Sequence, residues 1–402
     1  MTKPKYSYSI TMLKASEGDC LFSEFCYEGK TFSILIDTGP MSCWEPTLKP
    51  FLDRLSKEEK QIDVLLISHF DADHLGGALR LFESKDYSKI IRQVWFNGFK
   101  QIVPSALNEA SQEDRRAFRI LQSMHEHLPP ATDSPISVRQ ANSLAVLLER
   151  CGKPVNPFVN GTAITSNTAS VQIAPGFSID FLLPDIHSLN RLKAKMQIEM
   201  KRAVRGASLV HSEEADAAFE AVMLDEKLLI DNLEPISATN LDLSDIEKWS
   251  TCSSEKDLSI TNISSIAICI RFYGYKLLFP GDAAGEDLVT ALVRWGQRHN
   301  ESLHFDVIKL PHHGTLRSCG KLLDVVDGTY FLLSTDGKHH SHPSKETLAK
   351  IVTHSGKHTR FCSSTMITTC IGCFIRKTLR FNTATVRKLW KEALKSEAIS
   401  NE

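Results

Sequence analysis

The sequence is short of several things. Its 402 residues contain no apolar run of the ~18 residues that a membrane-spanning helix needs, so no membrane span is expected. It has no excess charge of either sign. The formal net charge is −1, so no global basic field points to nucleic acid, and any such binding needs a local patch. The polar start, Met1 to Tyr8, runs straight into strand-like sequence and is not read as a signal peptide. Ten cysteines are scattered without a repeating framework. Without an export signal they read as reduced thiols, many of them in the core, and the cytoplasm is the expected location. Internal repeats and long low-complexity segments are also missing.

What is present is ordinary globular composition, 42% apolar and 24% charged. The length exceeds what one core comfortably fills. One large elaborated domain over 1–402, or a domain with a substantial insertion, is expected. Tyr8 to Leu13, Leu21 to Tyr27 and Thr31 to Ile36 have strand character, the last ending at the turn Asp37-Thr38-Gly39-Pro40. A helix is expected from about Pro46 to Glu58, then a short apolar strand, Val64 to Ile67. Residues 103–258 read as mostly helical and polar. Ala141, Leu144, Leu148 and Cys151 share one helical face, and Leu189, Leu192, Met196 and Met200 share another. The polar stretch from Asp225 to Ser259 reads largely as a loop or lid. Strand character returns at Ile266 to Phe272, Lys276 to Phe279, Asp306 to Leu310 and Tyr330 to Ser334. Strands alternating with helices argue for a layered α/β fold.

The segment Ser68-His69-Phe70-Asp71-Ala72-Asp73-His74-Leu75-Gly76-Gly77 places four potential ligands directly after an apolar strand. A strand end is rigid and can hold them at fixed distances. Imidazole with carboxylate suits zinc, manganese or iron, and Gly76 and Gly77 let backbone pass close by. The alternative, a solvated polar loop, fits poorly with so dense a cluster after a buried strand.

This segment resembles the metal-binding signature of the metallo-β-lactamase superfamily, with Asp71 where many members have histidine. In that variation it is similar to the soluble hydrolase domain of ComEC-type DNA-uptake channels and to phosphodiesterases that attack choline phosphoesters. Further short motifs follow in family order: Glu17-Gly18-Asp19, Ile36-Asp37-Thr38-Gly39, Phe279-Pro280-Gly281-Asp282-Ala283, Lys309-Leu310-Pro311-His312-His313-Gly314 and Ser341-His342-Pro343. The resemblance implies an αββα sandwich with metals at one edge, 103–258 being a largely helical insertion or lid beside it. It implies one or two divalent ions, zinc or manganese, and hydrolysis by a metal-activated water. His69 and Asp71 are expected on one metal, Asp73 and His74 on the other, with Asp282 bridging. His313 is the preferred ligand of its pair and His312 the alternative. Asp73 and His342 are the candidate catalytic residues, His342 facing substrate. Asp19 and Asp37 either stand behind the ligands, fixing an imidazole's orientation, or simply cap their turns. Many members carry another histidine ligand before the bridging aspartate. Here the neighbourhood is Asn262-Ile263-Ser264-Ser265, and Asn262 is expected behind the ligands.

Two weaker signals remain. Cys370 and Cys373 have Cys-x-x-Cys spacing, but a zinc site needs four ligands, and only Cys362 and His358 could join them; buried thiols in an alternating strand, Thr365 to Ile375, explain them well. Residues 376–402 read as a basic amphipathic closing helix. Between Arg376 and Lys395, the basic residues Arg376, Lys377, Arg380, Arg387, Lys388, Lys391 and Lys395 stand against one acid, Glu392. Such a helix either covers the core or grips phosphates or a partner. The expected activity is that of a phosphodiesterase, in particular a nuclease, with small phosphodiesters or esters as the other substrates. The expected partners are nucleic acid and, if the chain is instead a regulated effector or interaction subunit of a bacterial anti-phage defence system, a nucleotide-binding ATPase.

Overall fold

The computed structural model describes residues 6–103, 110–125, 143–203, 210, 212–231, 246–253, 259–335, 342–354, 360–363, 369–371, 374–375 and 379–380. Two mixed sheets lie face to face with helices on both outer sides. The first contains β1 (Tyr6–Met12), β2 (Leu21–Tyr27), β3 (Lys30–Ile36), β4 (Ile62–Leu66) and β5 (Ile91–Trp95), with β13 (Thr369–Ile371) and β14 (Phe374–Ile375) in the order β14-β13-β1-β2-β3-β4-β5. The second contains β6 (Val171–Ala174), β7 (Phe177–Leu183), β8 (Ala267–Phe272), β9 (Tyr275–Phe279), β10 (His304–Lys309), β11 (Asp327–Leu333), β12 (Arg360–Ser363) and β15 (Leu379–Arg380). Its order is β15-β12-β11-β10-β9-β8-β7-β6. β3, β4 and β5 run parallel, as do β9, β10, β11 and β12.

Period-2 patterning explains the layers. In β3, Ile34 and Ile36 face the other sheet while Leu35 faces the helices; in β8, Ile268, Ile270 and Phe272 face inward while Ala267 and Cys269 face out. Phe25 of the first sheet meets Phe177 and Phe272 of the second at 5.0 and 5.1 Å between ring centres, and those two rings stand edge-on to each other at 4.9 Å. Burying three phenyl rings at these offsets ties the sheets together more strongly than area alone provides.

The stretch 103–258 is not one helical block. Helices do form at Gln112–His125, Leu144–Arg150, Ile186–Ala203 and Glu213–Asp231, and Leu189, Leu192, Met196 and Met200 are all buried. Between them, however, β6 and β7 are strands of the second sheet. Phe177–Leu183 is buried at every position, Ser178 and Asp180 included, as a strand covered on both faces of its sheet must be. The stretch read as a loop from Asp225 also contains helix, through Asp231 and again at Ile246–Ser250. The helix expected at Pro46 opens as a π turn, Trp44–Leu48, and becomes α-helical over Lys49–Lys57. Leu379–Arg380, placed in a closing helix by the sequence pattern, pairs as a strand with Phe361 and Arg360. Residues 381–402, His358 and Cys373 lie outside the described residues, as do His339 and His340. Among the described residues no helix is long and apolar enough to cross a membrane.

Inside the helical layer, Glu220 caps the helix Leu144–Arg150. Its carboxylate accepts from the Leu144 and Ala145 amides at 2.7 and 3.0 Å and from the Ser143 hydroxyl at 2.8 Å. Burial raises its pKa to about 7 against these donors, and Asp216 adds to the rise. A carboxyl whose folded pKa lies above its unfolded one keeps its proton longer in the fold. Stability from this group is therefore full at low pH and is lost as pH rises from about 4.5 through 7. Thermal unfolding of the wild type should lose up to about 3 kcal/mol more between pH 5 and pH 8 than that of Glu220→Gln. Parallel pH profiles for the two proteins would show that Glu220 does not titrate there.

Candidate metal centre

The chemistry-bearing residues gather at one edge of the sandwich, where the carboxyl ends of parallel strands from both sheets meet. β4 delivers Ser68 and His69. Asp71 stands at the N-cap of the helix Ala72–Glu83, with Asp73 and His74 in its first turn, where the helix dipole favours negative charge. β3 ends at Asp37, β9 leads through Pro280 and Gly281 to Asp282, and β10 ends at Lys309 before His312 and His313. The close approach of these segments requires glycine. A Cβ on Gly77 would lie 2.4 Å from the Thr38 carbonyl oxygen, and one on Gly18 would lie 1.9 Å from that of Asp73. Asp37, His312 and His313 all adopt left-handed backbone, with φ of 56°, 47° and 51°. Residues other than glycine hold such conformations only where their surroundings fix them.

Hydrogen-bond partners set the tautomer of each imidazole. His74 donates from Nδ1 to Asp37 Oδ2 at 2.8 Å. The Ser68 hydroxyl donates to the same Asp37 oxygen at 2.7 Å, so it accepts from His69 Nδ1 at 2.9 Å. His313 donates from Nδ1 to the Ser334 carbonyl oxygen at 2.8 Å. All three rings thus carry a proton on Nδ1 and turn Nε2 into the cluster. The Nε2 atoms of His69 and His74 and the Asp282 Oδ2 oxygen are buried and make no hydrogen bond. His74 Nε2 is 3.3 Å from Asp282 Oδ2, and His313 Nε2 is 3.1 Å from Asp73 Oδ2 and 3.5 Å from Asp282 Oδ2. Buried acceptors facing one another without a donor are costly. A cation among them removes that cost, and the imidazole and carboxylate set fits a divalent metal.

Among the described residues three groupings have ligand atoms all within 4.8 Å of one another: His69, His74 and Asp282; Asp73, His74 and His313; and Asp19, Asp37 and His74. His74 is common to all three. The second keeps Asp73 and His74 together, and the His74 ring also lies over His69, with ring centres 4.2 Å apart. Asp71 is buried, with its Oδ2 3.1 Å from His69 Nε2, but belongs to none of the three. His313 rather than His312 faces the carboxylates. The His312 amide donates to Asp282 Oδ1 at 3.1 Å, while its ring lies 3.3 Å from the Asn262 amide nitrogen and 5.8 Å from the His342 ring. Asp37 stands behind His74 and also accepts from the Ser68 amide at 2.7 Å. Asp19 lies 3.8 Å from the Nδ1 atoms of both His74 and His313.

Lys309 was not singled out by sequence reasoning, yet it is fully buried here. It pairs with Asp19 and sits 3.4 Å from Asp282 Oδ1. A lysine closing the apolar run Val307-Ile308 was the available signal. Burial opposes its charge, but Asp19, Asp282 and Asp37 outweigh burial and hold its pKa above the ordinary lysine value. Burial likewise opposes ionisation of Asp282; His74, His313 and Lys309 prevail and keep it well below the usual carboxylate range.

Residues 25–138 match the family model of the metallo-beta-lactamase superfamily, a group of metal-dependent hydrolases. The match includes Asp37 and the His69 to His74 segment and ends before Asp282, Lys309 and His313. No curated protein matches the chain in sequence. Among solved structures, the metallo-beta-lactamase fold protein YhfI from Bacillus subtilis is similar at 10% identity and a TM-score of 0.39, over 92% of this chain and 100% of that one.

The geometry separates holders from neighbours. His69→Ala and His74→Ala should each lose most of their bound metal in elemental analysis. Asp37→Asn should weaken binding roughly 10- to 100-fold through the misoriented His74. His342→Ala should retain its metal. Equal metal content in all four proteins would place the centre elsewhere.

Proposed function

We propose that the chain is a metal-dependent phosphodiesterase and that its substrate is nucleic acid. The observation that carries the hydrolase reading is the convergence of three Nδ1-protonated imidazoles and two carboxylates on one buried point. His69, His74, His313, Asp73 and Asp282 would hold the metal. When bound, a divalent ion lowers the pKa of a water from ~15.7 towards ~7 and offsets charge on a phosphoryl oxygen. Asp37, Ser68 and the Ser334 carbonyl orient the three rings. Of the site residues, Asp73 and His342 are only partly buried, which marks the side from which substrate enters. His342, with His312 behind it, is placed to contact a phosphoryl oxygen or the leaving group and to move a proton there.

The phosphodiester preference rests on the similarity of the motifs to the ComEC-type hydrolase domain, since the fold alone names no substrate. Nucleic acid is favoured by the helix Ile186–Ala203. It carries Arg191, Lys193, Lys195, Lys201 and Arg202, and its one acid, Glu199, is buried and paired with Lys195 and Arg202 at 3.4 and 2.7 Å. This helix packs against Ile260–Ile263, the segment that carries Asn262. The basic side chains of this helix, whose one acid is buried, thus stand on an element that packs against the Asn262 segment, and a phosphate backbone passing along it would meet them.

Purified protein with Mn²⁺ or Zn²⁺ should cleave single- or double-stranded DNA or RNA, and Asp282→Asn should lose at least about 100-fold in rate, on the scale of other electrostatic site groups. Replacing Arg191, Lys193 and Lys201 with Gln should flatten the salt dependence of nucleic-acid binding, its slope falling by roughly 0.7–0.9 for each phosphate no longer neutralised. Turnover of a small chromogenic phosphodiester should survive that change. If the wild type has no nucleic-acid affinity at low salt yet hydrolyses the chromogenic substrate, the substrate is a small phosphodiester.

A further inference from the structure

Five carboxylates crowd the centre: Asp19, Asp37, Asp71, Asp73 and Asp282. All but Asp73 are at most 1% exposed. The one ammonium that the described residues place among them is Lys309, itself 1% exposed. It pairs with Asp19, lies 3.4 Å from Asp282 Oδ1 and donates to the Gly281 carbonyl oxygen at 3.3 Å. Asp282 Oδ1 also accepts the His312 amide. One oxygen of Asp282 is thereby committed to the protein, and Oδ2 alone is turned toward His74 and His313.

We propose that Lys309 is a built-in cation that holds the centre together before metal binds and, by its charge, limits how tightly the metal is held. This rests on the metal-centre reading above. A buried carboxylate left without its cation is strongly destabilising, so Lys309 keeps Asp19 and Asp282 in place when no ion is present. The same charge repels an incoming divalent ion. Across a few ångströms, and even with effective screening, one unit charge alters divalent-ion affinity by about 10-fold or more. Lys309 is thus a positioning residue: at 1% exposure it acts through Asp282 and Asp19.

The test uses the full chain, freed of metal by a chelator, as wild type, Lys309→Met, Asp19→Asn and the double variant. Thermal unfolding is measured without metal, and Mn²⁺ alone is then titrated by calorimetry. Lys309→Met should unfold at a lower temperature than wild type without metal. It should bind Mn²⁺ about 10-fold more tightly, because a positive charge has gone. Asp19→Asn, which keeps the ammonium and removes its partner, should bind Mn²⁺ about 10-fold more weakly. The double variant restores the net charge of the wild type. It should recover near-wild-type affinity and unfold at a higher temperature than Lys309→Met. Should Lys309→Met fail to fold without metal, Asp19→Asn and the double variant still test the order of affinities. Unchanged or weaker Mn²⁺ binding by Lys309→Met, or a double variant no more stable than it, overturns the proposal. If the wild type itself binds no Mn²⁺, the metal-centre reading falls with it. Binding by the wild type with no such order among the variants overturns the role of Lys309 alone.

Discussion

Asp37 accepts the Ser68 amide, the Ser68 hydroxyl and His74 Nδ1, all between 2.7 and 2.8 Å, from a buried left-handed position at the end of β3. These three bonds join the ends of two neighbouring parallel strands to the first turn of the helix that follows the second. They also decide chemistry. Because a carboxylate only accepts, His74 must hold its proton on Nδ1; because Ser68 gives its proton to Asp37, His69 must do the same. Two imidazole lone pairs are thus aimed inward by one side chain that has no direct contact with the point they face. The strained backbone at Asp37 is offset by three charge-assisted hydrogen bonds, each stronger than a neutral one.

The centre is divided between the two sheets. The first supplies Asp19, Asp37, His69, Asp71, Asp73 and His74, and the second supplies Asp282, Lys309, His312 and His313. Packing of Phe25 against Phe177 and Phe272 fixes the sheets relative to one another away from the edge. At the edge itself the approaches are polar: Lys309 pairs with Asp19, His313 Nε2 faces Asp73, and His74 Nε2 faces Asp282. A cation held there therefore spans both halves, and its binding energy adds to the stability of the sandwich as a whole.

Much of this was legible in the sequence. Alternation exposed β1, β2 and β3, and the apolar run before Ser68 exposed β4, because sheets buried on one or both faces leave simple patterns. The density of His and Asp after β4 marked the edge. Some features were not legible, each for a physical reason. β7 was hidden because its apolar residues lie between two helices, and periodicity cannot separate a short buried strand from its surroundings. Lys309 escaped because lysine is not a ligand type. Its role shows only when the turn after β1, the end of β9 and the end of β10 come together.

The edge also makes one residue type serve two purposes. His69, His74 and His313 each have an acceptor at Nδ1 and so present a lone pair. The Nδ1 of His312 meets the amide nitrogen of Asn262 at 3.3 Å, a donor, so this ring accepts at Nδ1 and carries its proton on Nε2. An imidazole in that tautomer offers an N–H rather than a lone pair, which suits it to an anionic oxygen and not to a metal. Asn262 stands where the resemblance leads one to look for another histidine ligand. Its amide engages His312 Nδ1, and the His312 ring lies 5.8 Å from that of His342, which is only partly buried. Asn262 and His312 are thus one arrangement, in which the imidazole N–H is left on Nε2.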